Sequence, residues 1–178
     1  RVSCFACQEQ EIKTSADAVP TGVFCKKSMT TTDTSASRLA ALKAECRTLD
    51  QLVPFRAKTH PTVTALRQYN RAESRWVDIS YAELNELIMT WRKALAACHF
   101  SRGSRVAILL NNSVNAVLAD QCVLADALIP VPLHAIDTPA SSAYIAGDSE
   151  AVCLFTNKKE RWEAIRQSGG PLPYLRMV

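Results

Sequence analysis

The sequence predicts an α/β fold of repeated parallel βαβ units, preceded by a hairpin and a long amphipathic helix. Three observations carry this. Short apolar runs at 105 to 110, 129 to 133, 151 to 155 and 174 to 178 are separated by about eighteen residues of helical character. Upstream, Tyr81, Leu84, Leu87, Ile88, Trp91, Leu95 and Cys98 recur every three or four residues, the period of one helix face. Before them, two strand-like runs flank the polar cluster Asn70 to Ser74. Parallel strands need crossovers of a dozen or more residues, almost always right-handed, and the spacing supplies them.

Residues 1–47 mix Thr, Ser, Lys and Glu without sustained apolar periodicity and read as a flexible N-terminal extension, with a short helix from Ser37 to about Arg47 carried by Leu39, Leu42 and Cys46. The run Met29 to Ser35 resembles a polar native start, which makes residues 1–28 an upstream extension. From Thr48 the character changes and an α/β domain, 48–178, begins. Leu49, Leu52, Val53 and Phe55 have helical spacing up to the break at His60-Pro61. Val63 to Tyr69 alternates like a strand, and Trp76, Val77 and Ile79 form its hairpin partner. Ser80-x-x-Glu83 is a capping box opening the long helix, and core packing alone accounts for its aromatic stripe.

Past Gly103, the first crossover helix has Ser113 as cap and Val114, Val117, Leu118 and Cys122 on its apolar side. Thr138-Pro139, a cap followed by proline at the first helical position, opens the second, which stops at Gly147. The third runs from Lys158 to Ser168 with Trp162 and Ile165 inward. Ile129-Pro130-Val131-Pro132-Leu133 breaks the pattern, because proline has no N–H to donate, so this strand is expected to be short and partly bonded.

Composition narrows the function. With 48% hydrophobic and 21% charged residues the chain can bury a core. Its net charge of +4 comes without a basic run that could track a phosphate backbone, so nucleic acid is not an expected partner. No apolar stretch reaches the roughly 20 residues of a transmembrane segment, and a cytoplasmic location is expected. The seven cysteines lack a paired framework and read as reduced thiols; Cys4-x-x-Cys7 lacks the second ligand pair of a zinc site and the βαβ context of a redox site.

A βαβ series invites a search for a phosphate-binding loop, which needs glycines for close backbone approach to the anion. None of the five glycines, at 22, 103, 147, 169 and 170, builds one. A self-contained Rossmann or P-loop protein is thereby disfavoured. The best local site candidate is the turn Leu133 to Pro139, which follows a strand and opens a helix. His134, Asp137 and Ser141 are too close in one turn to make a catalytic triad, and His134 is expected to be an ordinary loop histidine. Asp120 and Asp126 do not face each other on their helix. Lys158, Lys159 and Arg161 could meet an anion, but the plainer expectation is a solvated helix face.

In order and spacing, Trp76 to Leu84, Gly103 to Ser113, Val131-Pro132-Leu133, Thr138-Pro139 and Tyr144 to Ala151 resemble the opening of an adenylate-forming (AMP-dependent) synthetase, most like the long-chain fatty-acid–CoA ligases, over about residues 48 to 178. The departures are Gly103-Ser104-Arg105 for the family's Gly-Asp-Arg, and Cys98-His99-Phe100 for its small-residue and glycine turn. The resemblance implies the N-terminal part of the family's large domain and a parent enzyme using ATP, Mg²⁺ and CoA. That parent would convert a fatty acid or other carboxylate to acyl-AMP and then to a thioester. It also implies CoA proximity for His134, Ala135 and Thr138, and no catalytic or metal-binding residue. The phosphate loop and the catalytic lysine of the family match nothing in this sequence. The chain is therefore expected to be an incomplete piece that pairs with the remainder of its own AMP-binding domain and is inactive alone. The alternative is a stand-alone α/β binding or regulatory module without catalysis.

Overall fold

The structure, a computed structural model, describes residues 35–178. Cys4, Cys7, Cys25 and the expected start at Met29 lie outside the described residues. Helix α1 (Ser35–Glu45) leads by a 3-10 turn, Leu49–Gln51, into α2 (Leu52–Thr59). His60 closes α2, its backbone N–H donating to Arg56 O at 2.8 Å. The hairpin follows as β1 (Thr64–Asn70) and β2 (Arg75–Ser80), paired antiparallel. Asn70 Oδ1 organises its turn by accepting from the N–H groups of Ala72 and Glu73.

Helix α3 (Tyr81–Ala96) opens on the complete capping box. Ser80 Oγ accepts from Glu83 N, and Glu83 Oε2 accepts from Ser80 N at 2.7 Å and Ser80 Oγ at 2.8 Å. These donors hold the Glu83 carboxyl below its usual range, the backbone contribution being the largest. A carboxylate with a lowered folded pKa stabilises the fold above its ordinary unfolded value, and that contribution is lost as pH falls through the lowered value. Ser80→Ala, which keeps the backbone donor and removes the hydroxyl, is expected to cost about 1 kcal/mol and to take only the hydroxyl's smaller share off the acid limb of stability against pH, as read by urea melts across that limb. At the other end of α3, His99 sits in the left-handed region at φ 51°, where the sequence departs from a glycine turn. His99→Gly is expected to gain about 1 kcal/mol by relieving the Cβ strain, measurable as a raised urea midpoint at unchanged slope.

Strand β3 (Arg105–Leu109), helix α4 (Val114–Ala125), strand β4 (Ile129–Pro132), helix α5 (Pro139–Asp148), strand β5 (Cys153–Thr156) and helix α6 (Lys159–Gln167) complete the described chain. The sheet is parallel with order β4-β3-β5. Alternation along the central strand divides the core. Val106 and Cys153 join Leu95 of α3 and Cys122 and Val123 of α4, whereas Ala107, Leu109 and Leu154 join Ala143 and Ala146 of α5 and Ile165 of α6. The sheet is therefore a middle layer with α3 and α4 on one face and α5 and α6 on the other. Ile79, Leu84, Ile88, Val114 and Leu118 form a third cluster that seats the hairpin on α3 and α4. There Gln68 Oε1 accepts from Val114 N at 2.8 Å, so the hairpin helps cap α4.

The proline strand is short, as expected, and its missing donors fall on one edge. Ile129 N donates to Ser104 O and Leu133 N to Ile108 O, both at 2.9 Å, so odd-numbered nitrogens face β3 and those of Pro130 and Pro132 face away. The expected fourth strand at 174–178 contracts to one parallel bridge, Met177 with Cys153. Pro171 and Pro173 precede it, and the backbone binds β5 only through Arg176 N to Val152 O and Leu154 N to Met177 O.

Candidate functional site

In an open α/β sheet the ligand crevice lies outside the carboxyl ends of the strands, where successive connections depart in opposite directions. From β3 the chain crosses to β4 on one side, then returns past β3 to β5 on the other. The connections diverge between β3 and β5. At that point Arg161, in the first turn of α6, reaches back from beyond β5 and donates from Nη2 to Asn111 Oδ1, just past β3, at 2.9 Å. Its Nη1 is buried without a hydrogen-bond partner. A cleft of about 210 Å³ lies beside this bridge, with Leu109 at its floor, Ala135 and Asp137 on the 133–139 turn, Ser142 on α5 and Arg161 among its walls.

Local chemistry fixes the walls. Thr138 caps α5, its Oγ1 accepting from Ser141 N at 3.1 Å and pairing with Ser141 Oγ at 2.9 Å. Pro139 at the first helical position needs no donor partner. The turn closes when Asp137 N donates to His134 O at 3.0 Å. The His134 side chain is exposed and does not line the cleft, while Ala135 does. Of the three residues implicated in CoA proximity, Ala135 faces the cleft, Thr138 is committed to capping and His134 stands outside. His134, Asp137 and Ser141 do not assemble into a triad, because the Ser141 hydroxyl is paired with Thr138.

The cationic cluster on α6 divides. Lys158 and Lys159 are exposed, and Lys159 reaches Glu163 one turn on at 3.5 Å, a solvated pair worth little. Arg161 is turned inward instead, contrary to the solvated-face expectation. The sequence signal lay in the polar run Asn111-Asn112-Ser113 at the end of β3, which offered an acceptor. No group of three His, Cys, Asp or Glu side chains among the described residues could hold a metal ion. No described helix is long and apolar enough to cross a membrane.

Residues 54–173 match the family described as AMP-binding enzyme. A curated relative, the long-chain-fatty-acid–CoA ligase FadD15 of Mycobacterium bovis, is 26% identical over 103 residues, 58% of this chain. The chain spans 17% of the length of that relative. Among solved structures, the inhibitor-bound N-terminal domain of FACL13 from Mycobacterium tuberculosis superposes with a TM-score of 0.65 at 21% identity, covering 74% of this chain and 33% of that one. The O-succinylbenzoate coenzyme A synthetase MenE of Bacillus subtilis, in complex with AMP, gives 0.57 at 22% identity, covering 71% and 30%. The α/β fold with its parallel sheet is thus that of the N-terminal domains of such enzymes, and with most of its length matching the family, this chain belongs to the AMP-binding enzymes.

Proposed function

We propose that the chain is the N-terminal part of a ligase that activates a long-chain fatty acid with ATP to acyl-AMP and passes the acyl group to CoA. The observation that carries the reading is the family match over residues 54–173; the likeness to a long-chain-fatty-acid–CoA ligase supports the substrate class. In this reading the described residues act as scaffold, and the cleft beside Ala135 borders the path of CoA. Among the described residues no group of three His, Cys, Asp or Glu side chains gathers. The sequence likewise contains no glycine-rich phosphate loop. Binding and polarising the ATP phosphates therefore fall to other parts of the ligase, and the 178-residue chain alone is inactive.

The test is fatty-acid-dependent ATP–pyrophosphate exchange and thioester formation by the natural gene product that contains these residues. Both activities are expected, with neither in the isolated 178-residue chain. Failure of the natural product with every carboxylate tried, or exchange by the isolated chain, overturns the reading. Within the active product, Ala135→Trp is expected to slow thioester formation about tenfold, or ~1.4 kcal/mol, while exchange stays within about twofold. Equal loss of both half-reactions would remove Ala135 from the CoA path.

A further inference from the structure

Cys98 and Met177 meet sulfur to sulfur on the α3-side core, where Met177 pairs through its backbone with Cys153. Cys98, just past α3, places its Sγ 3.5 Å from Met177 Sδ. Met177 is the parallel bridge partner of Cys153 on β5, and paired residues of neighbouring strands point to the same face. Both belong to the apolar cluster of Leu95, Val106, Cys122 and Leu128. Cys153 is 2% exposed, whereas Cys98 and Met177 are only half-buried. The Cys153 thiol is thus the most deeply buried of the three, and the Cys98 thiol and the Met177 thioether lie nearer the surface.

From this geometry we propose that Cys98, Met177 and Cys153 form a binding site for a thiophilic monovalent cation of the Cu(I) class. Thiolate and thioether donors select Cu(I) over harder ions, which favour imidazole and carboxylate, and two cysteines with a methionine suit its low coordination number. Zinc, by contrast, is held in structural sites by four ligands drawn from Cys, His and carboxylates, and no group of three such residues is present among the described residues. Cys98 Sγ also contacts Ala94 O at 3.6 Å, a weak bond that metal binding gives up.

The exchange balances without an oxidant. Each thiol S–H bond breaks and an S–Cu bond forms, Met177 donates a lone pair from Sδ, both thiol protons leave to solvent, and copper stays Cu(I). Burial, the largest cause, pushes the Cys153 thiol up to about 12, with the charge of Cys98 adding to it, so the metal must displace a firmly held proton. Uptake is therefore expected to tighten as pH rises.

The test uses the full 178-residue chain with Cys4, Cys7, Cys25 and Cys46 replaced by serine, so that these thiols cannot compete. Cu(I) is titrated against the chelator bicinchoninate under reducing conditions, with Ag(I) as a redox-inert probe in thermal melts. One equivalent is expected to bind, with a sulfur-only first shell by X-ray absorption and a raised melting temperature. Cys98→Ser and Met177→Leu are each expected to weaken binding about tenfold or more. Met177→Leu keeps the core volume, so it separates ligand loss from misfolding. Cys122→Ala, in the same cluster but bonded to Ala119 O, is expected to leave binding unchanged. Unchanged affinity in both Cys98→Ser and Met177→Leu, or loss in Cys122→Ala alone, overturns the site.

Discussion

Leu154→Ala is expected to lower the unfolding free energy by about 3–5 kcal/mol, the upper part of the range for such truncations. Leu154 is 2% exposed in the middle of β5 and packs into a cluster whose other members include Ala107, Ala143, Ala146 and Ala151. The cost of a large-to-small change depends on how far the surroundings collapse into the void. Four of the walls here are methyl groups fixed on backbone, so they have no rotamers with which to follow. The vacated space stays open, and its lining loses dispersion contacts as well as the transfer free energy. Urea denaturation with the slope held equal checks the value. Ile129→Ala, at a side chain 46% exposed on the edge strand, should change stability by less than about 0.5 kcal/mol in the same assay. A Leu154→Ala loss below 1 kcal/mol would mean that the α5–α6 layer can move onto the sheet, contrary to the close packing described.

That core was readable in advance because its signals are local and redundant. The apolar runs at 105, 129 and 151, the caps Ser80, Ser113 and Thr138, and Pro139 at a helix start each name an element with its own chemistry, and each appears where expected. The 174–178 run was apolar enough for a strand but pairs at one residue. Strand formation depends on a partner lying alongside, which composition does not encode, and Pro171 and Pro173 steer the approach. Short helix α1 was also expected, yet Leu39 on it is 50% exposed, so periodicity found the helix without saying what it packs on.

The site was legible as a place and not as a set of contacts. The turn after β4 was identifiable because chain order and strand spacing put it at a carboxyl edge. Arg161 was misread, since a cation among lysines at a helix start looks like every solvated helix face. What turns it inward is Asn111, 50 residues earlier, brought close only by the parallel pairing of β3 with β5. Sequence periodicity reports which face of an element is apolar; it carries no information on which polar tip meets which across a sheet. The same blindness applies to Cys98 and Met177, which are 79 residues apart and in contact through sulfur.

Gly147→Ala, a change that normally stabilises a helix by up to about 1 kcal/mol, is expected here to destabilise by about 2 kcal/mol, the scale of overpacking. A Cβ on Gly147 would stand 2.8 Å from the carbonyl oxygen of Pro171, a backbone atom that no rotamer change can move. The helix does not stop at this glycine, as its sequence context suggests, but runs on to Asp148 with Ser149 as cap. The residue is needed for a close approach and not for a turn. The side chain can be accommodated only if the 171–175 segment lifts from α5, and Leu172 and Leu175 of that segment pack on the core cluster. Displacement there propagates to Met177, whose carbonyl accepts from Leu154 N at 3.0 Å. Hydrogen exchange therefore separates two causes of the same loss. Faster exchange at Leu154 N–H, with α3 and α4 amides unchanged, marks a lifted C-terminal segment. A uniform increase across all amides would show that the helix itself absorbs the clash, and a stability gain would place Pro171 farther from α5 than 2.8 Å implies.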